Sequence, residues 1–299
     1  MTGSRRRPLR WLALGAVMLG AGMAEAEPLP LAAYMDQPRV QPDAVIRYGG
    51  APSQVVEVFK PEGKGPHPVV VLLHGGCYQQ RFDGLPQTSA IAADLARRGF
   101  AVWNVEYRRL GEAGSGYPGT FQDVAAAVDR IRAEAARHDL DPRRVVALGH
   151  SAGGHLALWA AARHRLPADS PLYRPDPLRI GAVISLAGIG DIEGQGDVFS
   201  RACGADTFPQ LLGDPQRLAD TSPAALLPSG ARTVMVHGTF DHVMPPFTGL
   251  EYARKARAAG DHAEAVSLPE AGHFDVVVPT SEAWKAVLAI VAREVEALR

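Results

Sequence analysis

The pentapeptide of residues 149–153 carries a pattern that can activate a serine for nucleophilic attack. It reads Gly-His-Ser-Ala-Gly, with Ser151 at its centre. A serine hydroxyl attacks a carbonyl carbon only when a base takes its proton and a third group holds that base in place. The flanking glycines fit a tight turn that has no room for a Cβ beside the serine. The pattern therefore predicts covalent catalysis at Ser151 and requires a base and an acid elsewhere.

Two loops near the C-terminal end supply the base and the acid. His273 lies just past the last predicted strand, and Asp241 lies just past the strand before it. The order serine, acid, histidine along the chain is that of one known arrangement of these three groups. Each residue follows a predicted parallel strand, so we expect all three at the carboxyl edge of the sheet. We predict Ser151, Asp241 and His273 as the catalytic residues. The other candidates for the acid are Asp191, Asp206 and Asp214.

A second glycine-containing segment predicts a site for a developing negative charge. His-Gly-Gly-Cys-Tyr at residues 74–78 follows an apolar, strand-like run. Glycines let the backbone approach a substrate carbonyl, so that main-chain N–H groups can meet the oxyanion. We predict the N–H groups of Gly76, Cys77 and Ala152 as its donors; the alternative for this segment is an ordinary tight turn. For substrate binding the sequence suggests only a short set of side chains, each equally open to a packing role: Tyr78, Gln79, Phe82, Tyr117 and Phe199.

The elements that must position these residues alternate between strand-like and helix-like patterns. Such alternation predicts an α/β fold with a mostly parallel central sheet flanked by helices. Residues 27–52 are rich in proline and indicate an extended arm across the surface, and residues from about 188 to 228 indicate a small lid-like insertion. Residues 27–299 are thus one catalytic domain. The predicted strands are 55–59, 69–73, 101–105, 145–148, 182–186, 234–237 and 263–268.

The N-terminus predicts export. Arginines at positions 5–7 and 10 precede an apolar stretch and then Ala24-Glu25-Ala26, which fits a signal peptide of residues 1–26 that is cleaved. The apolar stretch is too short for a membrane span. We therefore expect a periplasmic or secreted protein without a stable membrane span. Residues 4–9 also resemble a twin-arginine export signal.

The balance of charged residues argues against a nucleic-acid partner. The net charge is −1, with 31 Lys and Arg against 32 Asp and Glu, so no basic surplus is available for nucleic acid.

The chain has two cysteines, Cys77 and Cys203. They permit a disulfide in an oxidising compartment, but the sequence slightly favours two buried, unpaired thiols. His237 and His242 lack a third ligand, so no metal site and no cofactor are expected.

These motifs together resemble the esterase/lipase branch of the α/β-hydrolases. The resemblance extends from about residue 55 onward and also includes Glu106-Tyr107-Arg108-Arg109. The pattern is similar to that of the H-G-G-x-W enzymes, which include kynurenine formamidase-like and feruloyl and acetyl-xylan esterase-like proteins. Tyr78 stands where that motif has tryptophan, which leaves the substrate open. The resemblance implies an α/β-hydrolase fold and a serine hydrolase.

Three functions are compatible with these residues. The first is hydrolysis of a small carboxylic ester through an acyl-enzyme on Ser151, without cofactor or metal. The second keeps the mechanism but cleaves an amide, as an arylformamidase or a small-peptide hydrolase does. The third is a non-catalytic binding protein on a hydrolase scaffold, which usually lacks one member of the triad, whereas this chain retains all three. The expected partner is accordingly a small ester or amide.

Overall fold

The structure is a computed structural model, and it describes Met1 and residues 27–299. Apart from Met1, the predicted signal peptide lies outside the described residues. Within residues 27–299 no helix is both long enough and apolar enough to cross a membrane.

A single eight-stranded sheet forms the centre of the described residues. Its strand order is β1-β2-β4-β3-β5-β6-β7-β8, and from β4 to β8 all neighbouring strands are parallel. The first two strands join that parallel part antiparallel. The predicted mostly parallel sheet is confirmed. The strands are β1 (Ala44–Arg47), β2 (Val55–Phe59), β3 (His67–Leu73), β4 (Ala101–Val105), β5 (Leu140–His150), β6 (Ala182–Leu186), β7 (Arg232–Gly238) and β8 (Ala263–Leu268).

Helices cover both faces of this sheet. Successive strand residues point to opposite faces, so Val69 and Val71 enter one hydrophobic core and Val70 and Leu72 the other. The first core packs against α3, α4 and α8, and the second against α2 and α9. The helices are α1 (Leu31–Met35), α2 (Ser89–Arg97), α3 (Gly119–His138), α4 (Ala152–Ala162), α5 (Ile192–Cys203), α6 (Thr207–Leu212), α7 (Leu218–Thr221), α8 (Pro246–Ala258) and α9 (Glu282–Glu296).

Two regions outside the regular alternation shape the site. Between β6 and β7, where we expected a lid-like insertion, the chain forms α5, α6 and α7. The N-terminal region does not run as an extended arm throughout, because it contains the short helix α1 and the edge strand β1. That prediction was wrong, because both elements are too short to show a clear periodicity in the sequence. α1 has five residues, and the alternating burial of β1 extends over four.

Candidate active site

Ser151 lies in a strained turn between β5 and α4. Its backbone has φ 52° and ψ −117°, in the region that L-residues rarely adopt. A Cβ on Gly149 would collide with the carbonyl oxygen of Gly153, and a Cβ on Gly153 would collide with the end of β3. The two glycines are thus required by close backbone contacts. The turn places the serine, which is 5% exposed, at the carboxyl edge of the sheet.

Asp241 holds His273 by a hydrogen bond. His273 Nδ1 lies 2.9 Å from Asp241 Oδ2, and the other carboxylate oxygen accepts from the N–H groups of Val243 and Met244 at 2.9 and 2.7 Å. Burial would raise the pKa of Asp241, but the bonds from His273 and Met244 outweigh it and hold that pKa below its ordinary value. An ionised Asp241 keeps the proton on Nδ1, which leaves Nε2 as a base.

Two of the other aspartates considered as the acid, Asp191 and Asp214, have different partners. Asp191 caps α5 through the N–H of Gly194 and forms an ion pair with Lys255. Asp214 accepts from the N–H of Gln216 at 2.9 Å. Among the four candidates only Asp241 has a hydrogen bond to His273 in the described structure.

Ser151 and His273 face the same cavity. Within the described residues no hydrogen bond joins Ser151 Oγ to His273 Nε2. Such bonds are often long without substrate and tighten in the complex. The arrangement is compatible with proton transfer from the serine to the histidine once substrate is bound.

The loop of residues 74–85, which we call the Gly-Gly loop, presents two of the three predicted oxyanion donors. Gly76 and Cys77 have positive φ values of 98° and 53°. His74 Nδ1 donates to the carbonyl of Gly75 at 2.8 Å, and in a planar trans peptide the following N–H, that of Gly76, points the opposite way. In the described structure neither Gly76 nor Cys77 has a hydrogen-bond partner for its N–H. The third predicted donor, Ala152, is the first residue of α4, a position without an intrahelical partner.

A buried network of charged groups holds the Gly-Gly loop. Glu106 Oε1 lies 2.7 Å from His74 Nε2, and its other oxygen accepts from the N–H of Leu85 at 3.1 Å. Arg109 donates to the carbonyl of Phe82 at 2.5 Å and lies 3.6 Å from Glu106. Burial would raise the pKa of Glu106, but His74, Arg109 and Leu85 together hold it below its ordinary value. Sequence reasoning assigned no role to Glu106 or Arg109; the only signal was their place in the family pattern.

A disulfide joins the Gly-Gly loop to α5. Cys77 and Cys203 are bonded, with their Cα atoms 5.5 Å apart. The expectation of two unpaired thiols was therefore wrong, because the fold brings together two residues that are 126 positions apart. Gln79 adds hydrogen bonds from its amide to Cys203 O and Thr207 Oγ1, at 3.1 and 2.9 Å.

The cavity beside Ser151 has a volume of about 150 Å³ and mainly apolar walls. It includes Gly76, Cys77 and Phe82 of the Gly-Gly loop. It also includes Leu31 and Tyr34 of α1, which sequence reasoning missed because no local pattern relates them to the serine. The lining residues are Leu31, Tyr34, Gly76, Cys77, Phe82, Gln87, His150, Ser151, Ala202, Val243, His273 and Phe274.

Of the side chains suggested for substrate binding, Phe82 alone lines this cavity. The suggestion of Tyr78 and Gln79 needs correction. Tyr78 is fully buried and donates its hydroxyl to His155 Nδ1 at 2.7 Å, while Gln79 bonds to the α5–α6 region. Phe199 packs on Phe208, and Tyr117 bonds to Asp220. These four side chains do not line this cavity, and their contacts fit the packing role that the sequence left open.

Two further buried histidines, His150 and His155, have structural partners. His155 Nε2 donates to the carbonyl of Thr221, and His150 Nε2 donates to that of His273, both at 2.9 Å. Burial lowers the pKa of His155 to about 4, and burial together with the nearby His273 lowers that of His150 to about 3. Both rings are therefore neutral at pH 7. Across residues 27–299 no group of three or more His, Cys, Asp or Glu side chains is placed to hold a metal ion.

Comparisons with known proteins identify similar folds and a family. No curated protein matches the chain in sequence. Among solved structures, a truncated carbohydrate esterase from gut microbiota is 21% identical with a TM-score of 0.71, over 87% of this chain and 100% of the other. Esterase B from Lactobacillus rhamnosis is 20% identical with a TM-score of 0.73, over 90% of each chain.

A third similar structure is the propionate-bound esterase Est2 from Thermogutta terrifontis. It is 24% identical with a TM-score of 0.67, over 84% of this chain and 92% of the other. At such identities the three likenesses establish the fold. The BD-FAE family model matches residues 56–255, which contain β2 apart from its first residue, β3 to β7, Ser151 and Asp241. The chain belongs to the BD-FAE family of α/β-hydrolase esterases.

Proposed function

We propose that this esterase hydrolyses a small carboxylic ester through an acyl-enzyme on Ser151. The observation that carries the proposal is the 2.9 Å bond between Asp241 and His273, beside a strained serine in the same cavity. Membership of an esterase family supports ester hydrolysis as the reaction.

The first half of the reaction acylates the serine. Ser151 Oγ bonds to the carbonyl carbon while His273 Nε2 takes the hydroxyl proton. The carbonyl oxygen becomes an oxyanion that accepts from the N–H groups of Gly76, Cys77 and Ala152. When the tetrahedral adduct collapses, the bond to the alcohol oxygen breaks and His273 gives its proton to that oxygen. Asp241 stabilises the imidazolium form of His273 between these two transfers.

The second half regenerates the serine. Water attacks the acyl carbon while His273 Nε2 takes one of its protons, and the same N–H groups hold the second oxyanion. The bond to Ser151 Oγ then breaks, the proton returns to that oxygen, and a carboxylic acid leaves. Apart from the ester and this water, the scheme uses only side chains and backbone groups of this chain.

We also propose that the protein works in the periplasm or outside the cell. The disulfide between Cys77 and Cys203 supports this location, because disulfides persist in oxidising compartments. Fractionation of the native host with an antibody to the protein tests the location. Recovery of the full-length chain in the cytoplasm alone would contradict it.

The reaction is tested by hydrolysis of p-nitrophenyl acetate by the protein and by its Ser151→Ala variant. We expect kcat to fall at least about 10³-fold in the variant, because the nucleophile is lost. Ser115→Ala, which removes a hydroxyl from a loop, is the matched control and should leave the rate unchanged. Retained turnover in Ser151→Ala would contradict the proposal. Turnover of N-formylkynurenine well above that of short esters would instead favour the amidase.

A further inference from the structure

Residues 27–37 form one wall of the cavity beside Ser151. We call this segment the N-terminal arm; it is shorter than the extended arm expected for residues 27–52. Leu31 and Tyr34 both line that cavity. Tyr34 is 2% exposed and Leu31 is 41% exposed, so Tyr34 lies inside the cavity and Leu31 at its mouth. The arm precedes residue 56, where the match to the family model begins. This wall is therefore an addition to the region that the family model covers.

The ring of Tyr34 rests on neighbours of the proposed nucleophile and base. It stacks on Phe274 with ring centroids 5.5 Å apart and meets the edge of His150 at the same distance. His150 precedes Ser151, and Phe274 follows His273. The Tyr34 side chain is thus fixed directly beside the reacting groups.

The arm is also fastened to the loop that carries His273. Asp275 Oδ2 accepts from the N–H of Leu29 at 3.0 Å and from that of Gly272 at 2.9 Å. Pro28 packs so closely on Gly272 that a Cβ there would lie 2.6 Å from the Pro28 Cβ. These contacts make the arm a fixed wall rather than a loose N-terminal tail.

The size of the cavity indicates which part of an ester it holds. Its volume of about 150 Å³ is below the range of roughly 300–1,000 Å³ that is usual for drug-sized ligands. In the proposed reaction the acyl group stays bonded to Ser151 until water attacks, whereas the alcohol must leave. A small, mainly apolar space around the serine suits the acyl group, and a long acyl chain would meet the ring of Tyr34.

We infer that the arm is the acyl-size filter of this enzyme, with Tyr34 as the residue that excludes long acyl chains and Leu31 as the residue that narrows the entrance. The inference rests on the proposed ester hydrolysis and names the substrate class, short-chain acyl esters. The role of Tyr34 depends on its ring and not on its hydroxyl.

The experiment measures kcat/KM for p-nitrophenyl acetate, butyrate and octanoate. We expect the wild type to prefer acetate to octanoate. In Tyr34→Ala the octanoate-to-acetate ratio should rise about tenfold or more, since pocket size discriminates by roughly that factor per methylene group. Tyr34→Phe keeps the ring and should keep the wild-type ratio. Leu31→Trp should lower the butyrate-to-acetate ratio several-fold.

Two results would overturn the inference. One is a folded Tyr34→Ala variant with the wild-type ratio. The other is an equal loss for all three esters, which would show that the arm acts by placing His273. If Tyr34→Ala does not fold, the test rests on Leu31→Trp, which should fold because the Leu31 side chain is partly exposed. An unchanged butyrate-to-acetate ratio in Leu31→Trp would then overturn the inference. A wild type that hydrolyses none of the three esters would instead contradict the proposed function.

Discussion

The Gly-Gly loop and the N-terminal arm line the same cavity but are held there in different ways. The loop is fixed by the buried pair His74 and Glu106, by Arg109 and by a disulfide to α5. The arm is fixed by ring packing and by one hydrogen bond, from the N–H of Leu29 to Asp275. The stronger restraints thus act on the wall that presents the proposed oxyanion donors, and the weaker ones on the wall that we propose selects the acyl group.

This difference has a physical reason. Oxyanion donors lower a reaction barrier only when they are already oriented, so small displacements of the Gly-Gly loop are costly. A residue that limits the length of the acyl group needs only a large side chain in the right position. Packing against uncharged neighbours is enough to hold it there. Changes to the loop should therefore reduce turnover of every ester, whereas changes to the arm should mainly alter the choice of ester.

The largest effect is expected from Glu106→Gln. Loss of this carboxylate removes the buried partner of His74 and one of the two carboxylates beside Arg109, which should lower the free energy of unfolding by about 3 kcal/mol. We also expect kcat to fall about tenfold or more for all esters, with little change in KM, because the oxyanion donors lose their orientation. Urea unfolding and steady-state kinetics measure the two effects.

The matched control is Asp176→Asn, which removes a carboxylate from an exposed ion pair with Arg132. Such pairs contribute little, so stability should change by less than about 1 kcal/mol and kcat should not change. Equal effects of the two substitutions would contradict a special role for the buried network.

A smaller effect on kcat is expected from loss of the disulfide. Cys203→Ala frees α5 from the Gly-Gly loop and should lower the free energy of unfolding by roughly 2–4 kcal/mol. We expect a several-fold fall in kcat that is similar for acetate and butyrate esters. Treating the wild type with dithiothreitol should reproduce both changes. An unchanged kcat in the variant would show that the disulfide does not orient the loop.

The contribution of Glu106 to stability should also depend on pH. The pKa of Glu106 is held below its ordinary value near 4.5, so its ionised form stabilises the folded state above about pH 4.5. That stabilisation is lost as the pH falls through the folded-state pKa. The stability difference between wild type and Glu106→Gln should therefore shrink between pH 7 and pH 3. A constant difference over this range would contradict the assignment.

The smallest effect on stability is expected from Asp275→Ala, which releases the arm. The N–H groups of Leu29 and Gly272 lose a shared acceptor, at a cost of about 1 kcal/mol. Because the arm is then less well fixed, octanoate should become a better substrate relative to acetate. A uniform loss of activity with an unchanged ratio would show that Asp275 serves His273 alone.

The central sheet and the proposed triad could be predicted from the sequence because their signals are local. Buried parallel strands appear as continuous apolar runs, and the glycines around Ser151 mark a turn that only they permit. Strands β2, β4, β6 and β8 have the predicted bounds. Asp241 and His273 follow predicted strands, so the sequence places both at the carboxyl edge of the sheet. It does not give the distance between them.

The features that were missed depend on contacts between distant parts of the chain. Tyr34 reaches Phe274, and Cys77 reaches Cys203, only because the folded sheet brings them together. The bond from Glu106 to His74 joins the ends of two adjacent strands, and no sequence pattern shows it. Tyr78 was suggested for substrate binding with packing as an equal alternative, and its positive φ and its bond to His155 direct it into the core.

The most direct test of the central claim is covalent labelling of the proposed nucleophile. The protein is treated with an alkyl fluorophosphonate, which traps an activated serine, and the adduct is located by peptide mass analysis. We predict one adduct, on Ser151, together with complete loss of ester hydrolysis, and no adduct on Ser151→Ala or on a wild type unfolded in urea. Loss of activity with the label on another residue, or full labelling without loss of activity, would contradict the account.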